Sequence, residues 1–235
     1  MQTALLAWYA ENRRDLPWRH TRDPYAILVS EVMLQQTQAG RVVPRYLAWL
    51  DRWPTAAALA EAPTAEVLRE WQGLGYNRRA LSLQRAAREV AANGWPEDLT
   101  TLPGVGPYTA AAVQCFALGR PVLPVDVNVG RVLERTGATF DPTCAQALMD
   151  LGATICIARV PRCGACPLAE ECPSRGRRYE ALRRQSPFEG SFRQRRAAAL
   201  RALLRGARPD DEEAVAALAE DGLVRLEEGV VSLPD

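Results

Sequence analysis

The sequence predicts an all-α protein with a small tail that ends in a hairpin. Three observations carry this. Apolar residues recur at three-to-four spacing through eight segments of the first 160 or so residues. Proline and glycine interrupt the chain between those segments. No good period-two run occurs before residue 220, so no sheet is expected earlier.

Taken in order, helices are predicted over 25–38, 42–53, 55–60, 64–71, 78–93, 108–118, 125–136 and 143–157. The breakers are Pro54, Pro63, Gly73 with Gly75, Gly94 with Pro96, Pro103, and Gly119 with Pro121. Connections this short fit a compact helical domain. After Cys172 the texture changes. Residues 187–191 read as a linker, and 192–204 as an Arg-rich amphipathic helix. Asp210 is expected to cap a second helix, with Glu213 at its third position and Gly222 at its end. LVRL and VVSL then form a hairpin. Helix, helix and hairpin resemble half of a winged-helix unit; a packing cap is the other reading.

The chain has 235 residues, 48% of them hydrophobic, enough for one large domain or two modest ones. No run of eighteen apolar residues is present, so no membrane helix is expected. The start, MQTALLAWYAENRRDLPW, lacks the pattern of a secretory signal, which points to the cytoplasm. Net charge is +1 but unevenly spread. From Arg175 to Arg208 there are eleven Arg against two acids; from Pro209 to Asp235, nine acids against Arg225 alone. Such a basic stretch is either a polyanion-binding face or a solvated helix surface. Lysine is absent from the whole sequence.

Cys156, Cys163, Cys166 and Cys172 form C-x6-C-x2-C-x5-C, with Cys115 and Cys144 outside it. A disulfide framework does not suit a cytoplasmic chain of this size. Zinc and a four-iron cluster both remain open on spacing alone. Cys115 and Cys144 read as packing residues.

Leu102-Pro103-Gly104-Val105-Gly106 is a turn that needs glycine's backbone freedom. Pro107 suits the first turn of the helix that follows. The amides there can cradle an anion such as a phosphate. The turn is either a plain helix cap or the hairpin of a helix–hairpin–helix, which grips a nucleic-acid backbone without reading its sequence. Some twenty residues on, in VLPVDVNVGRV, Asp126 opens the next helix. It serves as an N-cap or as an ionised carboxylate at a reactive site.

LPGVGPYTA, VDVNVGRV and the four-cysteine loop, in this order and spacing, resemble the helix–hairpin–helix DNA glycosylases with an iron–sulfur cluster. This is the group of endonuclease III and the MutY-type adenine glycosylases. The resemblance covers roughly Leu16 to Cys172. It implies a six-helix barrel with its helix–hairpin–helix over 18–126. It implies a cluster domain built from 1–17 and 127–185 and a cleft between the two; residues 186–235, beyond the resemblance, read as a small winged-helix-like extension. It also implies a [4Fe-4S] cluster on Cys156, Cys163, Cys166 and Cys172, double-stranded DNA as partner, and a monomer. Gly104, Val105, Gly106 and Thr109 would hold the DNA backbone.

Bifunctional members carry a lysine where this chain has Tyr108. That amine forms a Schiff base with the sugar and leads to strand cleavage. Tyr108 and the absence of lysine imply a monofunctional enzyme that uses water. The stretch RDPYAILVSEVMLQQTQ, 22–38, resembles the adenine glycosylase motif, with Glu31 at the catalytic acid. Adenine leaves poorly as an anion and needs a proton on N7. A carboxyl group can supply it if apolar neighbours such as Leu28, Val32, Met33 and Leu34 raise its pKa. A surface Glu on an amphipathic helix is the plainer alternative. By resemblance, Asp126 stabilises the cationic sugar and Asn128 orients Asp126 and the water. Trp18, Arg19 and Leu34 match residues lining the adenine pocket. Gln36 and Tyr76 match groups that wedge into the duplex.

Two departures stand out. Asn77 and Arg78 replace the Tyr and small residue frequent in adenine glycosylases, near the strand opposite the target. Residues 186–235 are too short and too helical for the nudix-like domain that recognises 8-oxoguanine. The resulting expectation is excision of adenine mispaired with 8-oxoguanine or guanine. The alternative is removal of thymine or uracil opposite guanine, for which the Glu31 acid is not needed.

Overall fold

The computed structural model describes residues 1–178, 187–227 and 229–234. Its α-helices are α1 (Gln2–Asn12), α2 (Pro24–Leu34), α3 (Ala39–Arg52), α4 (Ala56–Glu61), α5 (Thr64–Glu70), α6 (Arg78–Asn93), α7 (Pro107–Phe116), α8 (Val127–Thr136), α9 (Ala145–Thr154), α10 (Phe192–Leu204) and α11 (Glu212–Glu220). The one sheet among the described residues is the hairpin of β1 (Arg225–Glu227) and β2 (Val230–Ser232), antiparallel with Leu226 opposite Val231. Among the described residues no helix is long and apolar enough to cross a membrane.

The chain forms two compact units. One joins Tyr25–Gly106 to the C-terminal segment; the other joins Met1–Pro24 to the segment from Pro107 onward. The sequence ranges divide it differently. They place 18–24 and 107–126 with the barrel and set the C-terminal extension apart. Two local causes explain the observed grouping. Arg19 is anchored to Asp150 on α9, and the C-terminal helices bond to the helices of 25–106. The expected boundary at 185–186, together with Arg183 and Arg184, lies outside the described residues.

In the unit containing Tyr25–Gly106, α2 is buried along its whole length from Tyr25 to Met33. Such a helix sits in the core rather than on it. Beside it Trp49 meets Trp53 and Trp71 edge-on, at centroid distances of 4.7 and 5.5 Å. Tyr25 donates its hydroxyl to the Trp53 carbonyl at 2.9 Å, which keeps its polar tip satisfied. Buried Gln84 on α6 accepts from the Thr64 hydroxyl and donates to the Ala62 carbonyl, tying down the connection between α4 and α5. Arg69 on α5 donates to the Leu204 carbonyl, and Arg78 on α6 pairs with Asp221 at 3.3 Å, so both hold the C-terminal segment.

The other unit packs Leu5, Val129, Val132, Leu148, Leu151 and Leu168 into one core. It includes α1, which the apolar spacing did not single out. Cys144 is fully buried there, as a packing residue would be.

Several helix ends differ from the sequence prediction, four of them for clear local reasons. Helix α2 stops at Leu34 because Gln36 takes a left-handed backbone, φ 55°. Helix α8 starts at Val127 because the Asp126 side chain caps it. Helix α9 ends at Thr154, where the Ile155 and Cys156 amides both turn back to the Leu151 carbonyl. Asp211, not Asp210, caps α11, accepting from the Ala214 amide at 3.0 Å.

Candidate active site and cysteine loop

Glu31 lies on α2 at 5% exposure, with Ile27, Leu28, Val32 and Met33 on the same helix each at 3% or less. The surface reading of this residue is therefore overturned. The amphipathic pattern failed because no face of α2 meets water. Leu34 is half-buried at the helix end.

Beyond Leu34 the chain enters the loop that carries exposed Gln36. The loop after α5 carries Tyr76, 43% exposed. Gln36 and Tyr76, φ 55° and 47°, are the two non-glycine residues with left-handed backbone among the described residues. For a side chain other than Gly, Asn or Asp that conformation costs on the order of 1–3 kcal/mol and clusters at functional sites. The two loops are held together. Thr37 Oγ1 donates to the Leu74 carbonyl, and Arg41 to the Gly73 carbonyl. Arg79 reaches both loops from α6. Burial lowers the Arg79 pKa to about 10, which leaves it a cation at neutral pH.

Gly104 in the hairpin turn has φ +77°, and a Cβ there would lie 2.6 Å from the Ser82 Cβ. Only glycine fits on both counts. Val105 is buried and Gly106 exposed. Past the turn, α7 opens with Pro107, half-buried Tyr108 and buried Thr109.

Asp126 caps α8: Oδ1 accepts from the Asn128 amide at 2.9 Å and the Val129 amide at 2.7 Å. Its other oxygen accepts from Asn128 Nδ2 at 2.9 Å. The capping reading is thus structurally correct, and it fixes the carboxylate rather than excluding a second role. Asn128 Oδ1 in turn accepts from Arg131 Nη2 at 2.9 Å. Arg131, 7% exposed, also donates to the Gly152 carbonyl and to the Cys156 carbonyl, each at 2.7 Å. One unbroken chain of hydrogen bonds therefore runs from Asp126 to the backbone of Cys156. Gly152 makes this approach possible, since a Cβ there would sit 2.9 Å from the Asn128 Cβ.

The four cysteines line one recess together with Val132, Arg135 and Leu168. Arg135 donates to Cys156 Sγ at 3.4 Å and to the Ile157, Ala158 and Arg177 carbonyls. The Gly176 amide donates to Cys163 Sγ at 3.3 Å. Burial, and then the charges of the other three sulfurs, pushes the Cys166 thiol up. Four thiols this close favour a bound cation that takes them as thiolates. N–H groups aimed at sulfur suit a cluster's outer shell. Among the described residues, no three acidic, histidine or cysteine groups already stand at metal-ligand geometry. A set of four cysteine sulfurs lining one recess suits such a cluster.

Trp18 and Arg19 form a short 3-10 turn, with Trp18 9% exposed. Arg19 forks onto Asp150 with both bonds at 2.7 Å, and Arg14 adds two more. Burial alone would raise the Asp150 pKa, but the bonds from Arg19 and Arg14 outweigh it and hold the carboxyl below its usual range. Arg79, Arg131, Arg135 and Asp150 were not singled out in the sequence. Their weight comes from partners far along the chain. The one available hint, Arg131 and Arg135 four apart on one helical face, is too common to stand out.

Residues 29–151 match the model of the HhH-GPD superfamily base excision DNA repair proteins. The adenine DNA glycosylase of Mycolicibacterium smegmatis is 46% identical over 222 residues, spanning 81% of this chain and 75% of that protein. The adenine DNA glycosylase of Homo sapiens is 39% identical, spanning 80% of this chain and 42% of that protein. A solved thermostable thymine-DNA glycosylase superposes with a TM-score of 0.66 at 32% identity, over 73% of this chain and 93% of its own. An endonuclease III–DNA covalent intermediate, with a TM-score of 0.63 at 22% identity over 73% and 92%, shares the fold. The chain belongs to the HhH-GPD superfamily of base excision DNA repair proteins.

Proposed function

We propose that the chain is a monofunctional adenine DNA glycosylase. It acts as a monomer on double-stranded DNA and removes adenine mispaired with 8-oxoguanine or guanine. The observation that carries the reading is Glu31, a carboxyl group at 5% exposure on a helix buried from Tyr25 to Met33. The kinship to adenine DNA glycosylases agrees with it, at 46% identity against 32% for the thymine-DNA glycosylase. The pyrimidine alternative is not favoured.

The chemistry divides between two carboxyl groups. The C1′–N9 bond breaks and its electron pair stays with the base. Glu31 gives its proton to N7, so adenine leaves neutral. Asp126, ionised, stabilises the positive charge that grows on the sugar. Water adds to C1′, and its released proton returns to the Glu31 carboxylate. Asn128 holds Asp126 in place for this step. With Tyr108 at the lysine position and no lysine in the sequence, no lysine amine attacks the sugar and the strand stays intact.

The remaining assignments follow the same kinship. Trp18, Arg19 and Leu34 contact the extruded adenine; Gln36 and Tyr76 enter the duplex. Gly104, Val105, Gly106 and Thr109 hold a phosphate through the main chain. Cys156, Cys163, Cys166 and Cys172 hold a [4Fe-4S] cluster, which fastens four points of their loop together when bound.

Replacing Glu31 by Gln tests the acid. The variant should bind mispaired duplex as wild type does and release adenine at least about 100-fold more slowly under single turnover. Undiminished release would remove Glu31 from that role.

A further inference from the structure

Arg79 stands in the first turn of α6, where a cation opposes the partial positive charge of its own helix. Its head group lies elsewhere. Nη1 donates to the Val32, Met33 and Gln35 carbonyls at 2.7, 3.1 and 2.7 Å. Two of these are last-turn carbonyls of α2, which have no partner within their helix. Nη2 donates to Thr37 Oγ1 at 3.3 Å and to the Leu74 and Gly75 carbonyls at 3.1 and 3.0 Å. One guanidinium thus gathers the end of α2, the loop bearing Gln36 and the loop bearing Tyr76. It also lies over the Trp71 and Tyr76 rings, at 5.2 and 5.7 Å.

Among the described residues its buried Nε meets no hydrogen-bond acceptor, and the side chain is held by its two terminal nitrogens and the rings. The acceptors of those nitrogens are all neutral oxygens, on two stretches far apart in the sequence, 32–37 and 74–75. A planar fork can serve them together; a lysine's single ammonium cannot. At the crest of each gathered loop is an exposed residue with left-handed backbone, a conformation that persists only where its surroundings impose it.

We propose that Arg79 is a positioning residue that locks the Gln36 and Tyr76 loops in one register, and that this register sets how the two side chains enter the duplex beside the target base. The proposal rests on the reading of the chain as a base-extruding glycosylase. Arg79 touches no substrate; it acts through the two loops.

The test compares Arg79→Lys, which keeps the charge, with Arg79→Met, which removes it, and with Thr37→Val, which deletes only the hydroxyl between the loops. Adenine release is measured under single turnover from a mispaired duplex and from a duplex with an abasic site opposite the adenine, where no partner base has to be displaced. Fluorescence of 2-aminopurine beside the mispair reads unstacking independently of chemistry. Arg79→Lys should stay folded with a lowered melting temperature and bind undamaged duplex equally, yet release mispaired adenine about 10–100-fold more slowly at a temperature where it is fully folded. The 2-aminopurine rise should shrink with it, and the deficit should narrow opposite the abasic site. Thr37→Val should show the same pattern, smaller. In a Tyr76→Ala background Arg79→Lys should cost little more, because the side chain it positions is gone. A deficit equal on both substrates, or one that multiplies in full with Tyr76→Ala, would overturn the proposal. So would a normal 2-aminopurine response in the variants. If wild type releases no adenine, the proposed function fails, and the 2-aminopurine response still decides the role of Arg79.

Discussion

At the scale of the residue, the same side chain often answers two needs. Asp126 satisfies two amides at the start of α8, a service typically worth about 1 kcal/mol, and the same contacts fix its carboxylate. Asp126→Asn separates the two needs. Asn caps helices as well as Asp does, so the melting temperature should stay close to wild type. Losing the negative charge should slow adenine release by about 100-fold or more in single-turnover assays. A fast variant would leave Asp126 with the cap alone. Glu31 and Asp126 could both be picked out in the sequence as candidates, because the motifs that carry them are local. Arg79 could not. Its meaning lies in carbonyls from residues 32 to 35 and 74 to 75, which only folding brings to it.

At the scale of the element, pairs of helices set the geometry of single groups. Helices α8 and α9 approach closely only because residue 152 has no side chain. Ala is normally the better helix former by about 1 kcal/mol. Here Gly152→Ala should lower stability instead and push Asn128 away from Asp126. The measurement is thermal melting together with single-turnover release; a stabilised, fully active variant would contradict the close approach. The turn at Trp18–Arg19 is tied to α9 by Asp150, whose side chain is fully buried. A carboxyl group whose pKa is lowered by folding contributes stability above its unfolded pKa and loses it as pH falls through the folded value. Wild type should therefore lose that increment only in acid, below about pH 4. Asp150→Asn should lose it at neutral pH, about 3–5 kcal/mol by urea unfolding, because two arginines are left facing a neutral amide. Equal stability at pH 7 would show that the pair contributes nothing.

At the scale of the whole molecule, the helical class and most helix positions could be read from apolar spacing and breakers. Phe192–Leu204 and Arg78–Asn93 agree to the residue. Grouping was harder to read. The chain leaves one unit at Gly106 and enters the other at Pro107, and no composition change marks that point. Likewise the C-terminal segment joins the unit of residues 25–106 through Arg69 and Arg78, two surface arginines among many. The chemistry proposed for the whole molecule is adenine excision without strand cleavage. Its most direct test is single-turnover base release from duplexes carrying A opposite 8-oxoguanine, A opposite G, T opposite G and U opposite G, each analysed with and without alkali. Adenine should be released from the first two, with strand breaks appearing only after alkali. Release of thymine or uracil with adenine left in place would contradict it.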